Sequence, residues 1–239
     1  MQRYSLIFSF LILSHTLLAQ GHKDTLIAQV GTQIKGSTRD LSLLDVRVKT
    51  LKAGKSSPGE MAEVDQLLIV KDGGMTIRVG SLVKTLGPGG IALLPVGAAH
   101  SLTNTGSIPV NYYVFSFLTG SGSRISQAGP PMIVDWKDMP MKTTDKGESR
   151  QIFNQPSALL HKIDMHATTL NEGQVSHPPH IHRNEEIILL RSGDVQMYIG
   201  GKYYPAHAGD LVFLTSGTPH ALENKTKGRC EYFALQWQP

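Results

Sequence analysis

Apolar residues along this chain recur at two spacings, and neither is that of a helix. Residues 64–70 and 186–191 are apolar runs that stop at Lys71-Asp72-Gly73-Gly74 and Ser192-Gly193-Asp194. Residues 75–79 and 195–199 then alternate apolar with polar, the period of a strand with one buried face. Short apolar runs follow at 91–94 and 211–214, and longer ones at 111–117 and 231–237. No stretch sustains a helical period, so the pattern predicts an all-β protein of short strands joined by turns. Residues 119–124, rich in Gly and Ser, read as a loop, and residues 127–149 as a connector packed partly onto its neighbours.

The same pattern occurs twice. Residues 60–117 match residues 180–237 without a gap at an offset of 120: Gly73 meets Gly193, Gly89 meets Gly209, His100 meets His220 and Asn104 meets Asn224. Upstream, Asp45, Thr50, Leu51 and Gly54 meet Asp164, Thr169, Leu170 and Gly173 at an offset of 119. An ungapped match means equal strands and equal turns, so the chain reads as a tandem duplication.

Candidate chemistry sits in the second copy. His180, His182 and Glu186 fall at even spacing, which turns two imidazoles and a carboxylate to one face of a strand. His220, after the turn at Gly217-Thr218-Pro219, brings a further imidazole. Three neutral nitrogens and one anionic oxygen form a ligand set for a divalent transition metal. The first copy has Glu60, Ala62, Gln66 and His100 at these places, so a metal-free first copy is expected; the alternative is an altered, weaker site from Glu60, Gln66 and His100. His177, in a loop with Pro178 and Pro179, is expected at the rim and is the candidate catalytic residue that could shuttle a proton. Glu185 is expected to face outward into solvent. His161, His166 and His207 read as structural histidines, Asn104 and Asn224 as turn-holding residues, and Tyr198, Tyr204, Phe213, Tyr232 and Gln236 as candidates to line a pocket.

His180-x-His182-x3-Glu186-x6-Gly193 and Gly209-x5-Thr215-x-Gly217-x2-His220-x3-Asn224 resemble the two motifs of the cupin superfamily. The family has Pro where this chain has Thr215, and Gly173 stands one residue further from His180 than usual; neither departure touches a ligand. The resemblance implies a bicupin: two tandem double-stranded β-helix, or jelly-roll, barrels, the first over residues 20–126 and the second over 150–239, joined by the connector 127–149. It implies one divalent metal per chain, manganese or iron first, with zinc, nickel, cobalt and copper as other ions the set can take. The set is similar to that of oxalate-degrading and flavonol-cleaving bicupins. The segment around His180 resembles an isomerase bicupin of antibiotic biosynthesis, and a degenerate first barrel is similar to ureidoglycine aminohydrolases, whose ligand set differs. Oxygenase, decarboxylase or isomerase chemistry on a small oxygen-rich molecule, an organic acid or carbohydrate, is the expectation, with a non-catalytic metal-assisted binder of such molecules as the alternative. The family also implies pairing of barrels through sheet edges, within the chain or in a homodimer.

Composition narrows this further. Among 239 residues the net charge of +4 is spread without basic runs, so nucleic acid is not an expected partner. Residues 1–20 have a basic start at Arg3, an apolar centre and Ala19 before a polar continuation. That reads as a signal peptide over residues 1–19, hence an exported protein that leaves the membrane on cleavage. A retained anchor is disfavoured because the apolar run is shorter than the ~20 residues a span needs. One cysteine, Cys230, permits no internal disulfide.

Overall fold

The structure is a computed structural model that describes residues 26–239; the signal-peptide segment lies outside the described residues. The first half of the chain carries β1 (Gln29–Gly31), β2 (Ile34–Gly36), β3 (Leu41–Leu51), β4 (Glu60–Met61), β5 (Asp65–Asp72), β6 (Met75–Val79), β7 (Leu82–Leu86), β8 (Ile91–Leu94), β9 (Ala99–Thr103) and β10 (Val110–Thr119). The second carries β11 (Met132–Val134), β12 (Lys142–Thr144), β13 (Gly147–Gln155), β14 (Lys162–Leu170), β15 (Glu185–Ser192), β16 (Asp194–Ile199), β17 (Lys202–His207), β18 (Leu211–Leu214), β19 (His220–Asn224) and β20 (Cys230–Gln238). The one helical turn among the described residues is a 3-10 turn at Trp136–Asp138. The chain is therefore all-β, as its pattern predicts, with the jelly-roll arrangement that the resemblance implies.

Each half packs a large sheet on a small one. In the first, β11-β8-β5-β10-β3-β2 faces β4-β9-β6-β7; in the second, β1-β18-β15-β20-β14-β13-β12 faces β17-β16-β19. The two large sheets then pack back to back, and this explains the two spacings in the sequence. Leu68 and Val70 point into the core of the first half, where they meet Ile77, Leu102 and Val114. Leu67 and Ile69, between them, point the other way into a core shared with Ile187, Leu189, Phe213 and Trp237 of the second half. A strand buried on both faces needs an unbroken apolar run, whereas β6 and β16, with one side toward solvent, alternate.

The halves also exchange strands. β1, first in the chain, pairs with β18 of the second half through Gln29↔Phe213 and Gly31↔Leu211. β11, which follows the first half, returns to pair with β8 through Met132↔Leu93 and Val134↔Ile91. The exchange is reciprocal, as a pseudo-two-fold relation between the halves requires. Pairing between halves thus occurs within the chain, through sheet faces and exchanged edge strands.

Two buried acids sit at matching places on this seam. Asp65 accepts hydrogen bonds from the Ser157 hydroxyl, from Leu159 N at 2.8 Å and from Val96 N at 2.9 Å. Glu185, its counterpart, accepts from the Thr38 hydroxyl and from Arg39 N at 3.1 Å. Glu185 is 0 % exposed, not solvated as its outward parity suggests, because the outer face of its strand is covered by the other half of the molecule. Burial pushes its carboxyl upward, and the Thr38 hydrogen bond works against that. Beside the seam, Trp136 lies between the guanidinium groups of Arg150 and Arg191, 4.5 and 4.0 Å from its ring centre.

Candidate metal centre and its cavity

Strand pairing assembles the four candidate ligands. His180 and His220 form an isolated antiparallel bridge, with His180 N to His220 O at 3.2 Å and His220 N to His180 O at 3.0 Å. The turn before His220 is pinned by Gly217 N donating to His182 O at 2.9 Å. Gly217 adopts φ +75°, a conformation that favours glycine. Glu186, on β15, stands between Leu214 and Gln236 on the neighbouring strands. The ring centres of His180 and His182 then lie 4.5 and 4.8 Å from that of His220, and the ligand atoms of the three histidines all fall within 4.8 Å of one another.

The hydrogen bonds around the rings fix which nitrogen faces inward. His182 Nδ1 and His220 Nδ1 each meet a backbone carbonyl at 2.8 Å, Asn184 O and Thr218 O respectively. A ring that donates from Nδ1 keeps its Nε2 lone pair free, the usual preparation for metal ligation. Both Nε2 atoms point at Glu186 Oε2, at 3.1 Å for His182 and 3.2 Å for His220. His220 Nε2 is nonetheless a buried nitrogen with no aligned hydrogen-bond partner. Metal bonds of roughly 2.0–2.2 Å would hold neighbouring ligand atoms about 3 Å apart, the spacing seen here between carboxylate and imidazoles. The residues fit a divalent ion on this ground, and the histidine triad can hold one.

Electrostatics agree with the geometry. Burial alone would raise the Glu186 carboxyl, but the imidazoles of His182 and His220 hold it at about 2. Burial lowers His180, with neighbouring imidazoles adding to the effect, and burial likewise lowers His177. His182 is raised by its hydrogen bond to Glu186.

The cluster opens into a cavity of 510 Å³ lined by residues of β14, β15, β19 and β20 and by the β12–β13 turn. His177 lies on its wall, with its ring centre 4.0 Å from that of His180 and its Nδ1 3.1 Å from Pro178 O. Tyr232 and Gln236 line the cavity, and Gln236 Oε1 accepts from Asn184 at 3.2 Å. Phe213 is sequestered between the two halves, Tyr198 packs on Tyr203, and Tyr204 is 40 % exposed, so these three do not line it. His207 lies outside it, paired with Asp210 at 3.5 Å, and His161 borders a separate surface cavity. His166 does face the cavity, contrary to its reading as a structural histidine, together with Thr168, Ser149 and Lys146. The signal was the alternation of Ile163, Met165 and Ala167 with Asp164, His166 and Thr168, a polar face turned away from the shared core.

Asn104 and Asn224 tie loops to strands. Asn224 Nδ2 meets the carbonyls of Leu170, Asn171 and Gly228 at 2.9–3.0 Å, and Asn104 Nδ2 those of Leu51 and Ile108 at 2.8–3.0 Å. In the first half, Glu60 pairs across strands with His100, whose Nδ1 is bonded to Ala98 O at 3.1 Å, while Ala62 is buried. Glu60, Gln66 and His100 border a cavity of 470 Å³ with Asp45, Arg47 and Ser116.

Residues 167–235, on the half that carries the histidine cluster, match the family of the cupin domain. The chain is 24% identical over 185 residues to (S)-ureidoglycine aminohydrolase of Arabidopsis thaliana; the match covers 75% of this chain and 60% of that relative's length. The fold is similar to that of AerE from Microcystis aeruginosa, with a TM-score of 0.68 at 11% identity, covering 89% of this chain and 98% of that one. It is likewise similar to oxalate decarboxylase of Lactobacillus farciminis, with a TM-score of 0.68 at 12% identity, covering 92% and 84%. At such identities the solved structures speak for the fold alone.

Proposed function

We propose that the chain is an exported bicupin, in which residues 20–126 form a scaffold barrel, residues 127–149 a connector and residues 150–239 a metal-dependent catalytic barrel. In this reading His180, His182, Glu186 and His220 ligate one divalent ion, manganese or iron, and the substrate is a small oxygen-rich molecule. The observation that carries it is the buried, unpartnered Nε2 of His220, held with its lone pair toward two other imidazoles and a carboxylate at the end of a 510 Å³ cavity. A relative named for hydrolysis of ureidoglycine supports turnover of a small molecule.

Three imidazoles and one carboxylate leave about two positions of an octahedral ion open to substrate. A bound ion would polarise a substrate oxygen or, if redox-active, exchange electrons with it. The chain's own residues do the rest. Asn184 O and Thr218 O fix the tautomers of His182 and His220, and Gln236, held by Asn184, stands beside His182 with its Nε2 3.5 Å from His182 Nε2. His177 Nδ1 is engaged by Pro178 O, which leaves Nε2 as the atom that takes or returns a proton at the cavity wall. A non-catalytic metal-assisted binder is the second reading. It is favoured by the state of Glu148, a further carboxylate on that wall, which Arg150 and Arg229 hold at 3.1 and 2.7 Å and which is thereby unsuited to proton transfer.

Elemental analysis of the mature protein, purified without chelator or added metal, tests the proposal beside the His180→Ala His182→Ala double variant. One manganese or iron per chain, absent from the variant, is the expected result. No metal in the parent would overturn the metal reading, and metal retained in the double variant would overturn the ligand set. Turnover of a panel that includes ureidoglycine and oxalate, with oxygen uptake followed in parallel, then separates enzyme from binder.

A further inference from the structure

We infer that Lys146, carried at the turn between β12 and β13, reads an anionic group on the molecule that enters the metal cavity, so that the site takes small carboxylates in preference to neutral polyols. The inference rests on the metal reading and narrows it, since organic acids and carbohydrates are otherwise equal candidates.

Among the described residues lining the cavity, Lys146 is the only lysine or arginine. Three acids share that lining, and two are already engaged: Glu148 by Arg150 and Arg229, Glu186 by the imidazole cluster. Asp145, beside Lys146, is exposed, where solvent and salt screen its charge. A divalent ion offset by one carboxylate would leave the interior positive, with the Lys146 ammonium, beside His177 on the cavity wall, adding to it. An anion of two or three carbons can neutralise charge at both; a polyol can offer only neutral oxygens.

Lys146 is held in place for this. Its carbonyl accepts from Asn171 N at 2.8 Å, and its own N–H donates to Thr144 Oγ1 at 3.3 Å. Gly147 follows at φ +144°, and a Cβ there would lie 2.0 Å from Thr169 O, so the turn is pressed against β14 with no room for a side chain. From this fixed backbone the Lys146 ammonium reaches Ser176 O at 3.1 Å, beside His177. An ammonium has three donors, so two stay available to a ligand.

The first half supplies an internal comparison. Among the described residues its large sheet ends at β2, β1 pairs with β18, and no hairpin of this kind lies over its cavity. The cation present there, Arg47, has Asp45 at 3.8 Å and shares the lining with Glu60 and Glu63. The hairpin and its lysine occur on the half that keeps the histidines.

The test uses the full mature chain loaded with Mn(II), with metal content checked in each variant. Oxalate, malonate and glycolate, against glycerol and erythritol as neutral probes, are titrated by calorimetry and by water-proton relaxation of the bound ion. Lys146→Gln is expected to keep its metal and to weaken carboxylate binding about tenfold or more, with no change toward the polyols, while Lys146→Arg recovers most of the loss. Carboxylate affinity unchanged in a Lys146→Gln protein that holds its metal would overturn the role of Lys146 and leave the metal reading standing. Polyols bound as tightly as carboxylates by the parent would overturn the preference. Failure of the parent to take up metal would overturn the metal reading, and this inference with it.

Discussion

At the scale of single residues, the site balances a buried carboxylate against imidazoles, and pH should act on it in opposite senses with and without metal. In the metal-free protein the Glu186 carboxyl is depressed to about 2. Its stabilising contribution is therefore fully present above its unfolded value of about 4.5, and is lost as pH falls from there toward 2. His182 is raised above its ordinary 6.5, so its contribution is present below 6.5 and is lost as pH rises through the elevated value. The metal-free protein should thus draw most from this pair between about pH 4.5 and 6.5. Metal must displace protons from imidazoles, so the stabilisation it adds should grow as pH rises through that upper limit. Urea melts of stripped and loaded protein across pH 4–8 check this; equal slopes for the two would contradict it. Glu186→Gln should flatten the acid limb of the stripped protein, and the upper limb with it, because His182 loses the carboxylate that raises it.

The four candidate ligands were legible because parity within a strand and one turn suffice to converge them. His166 and Glu185 were misread for a different reason. Their side chains alternate as any strand requires, but whether a face meets solvent, a cavity or a second half of the molecule depends on packing that a single strand does not encode. The unbroken run Ile187-Ile188-Leu189-Leu190 was the clue, since only a strand covered on both sides needs it.

Among elements, the shortest strands carry consequences out of proportion to their length. β1 and β11 have three residues each, too few to show any period, so β11 falls within the stretch read as connector and β1 gives no strand signal of its own. They are nevertheless what closes the exposed edges of β18 and β8. Removal of the chain through Gly31 should uncover the β18 edge. We expect faster amide exchange along residues 211–213, with the first-half amides of β8 unaffected, and a tendency to associate through the freed edge. Hydrogen exchange with mass detection and light scattering measure the two. Unchanged protection at β18 would show that β1 adds nothing to it.

Over the whole molecule, the shared core between the two large sheets joins the halves into one stability unit. Large aromatic residues, among them Phe115, Phe117, Phe213, Phe233 and Trp237, are buried there. A chain confined to residues 150–239 would expose that face and lack β1, so it should be insoluble or molten, while the intact protein should unfold in a single transition. Two separate calorimetric transitions, or a well-folded isolated second half, would contradict this.

The exchanged strands also set a timetable. β1 precedes its partner β18 by some 180 residues, so β1 must wait unpaired while that length of chain is synthesised. The first half, by contrast, lacks only β11, which begins 13 residues after its last long strand ends. The second half cannot finish its large sheet until the earliest described strand has been recovered across that separation. Long-range closure of that kind is slow, and it makes the ligand cluster one of the last parts of the protein to come into register.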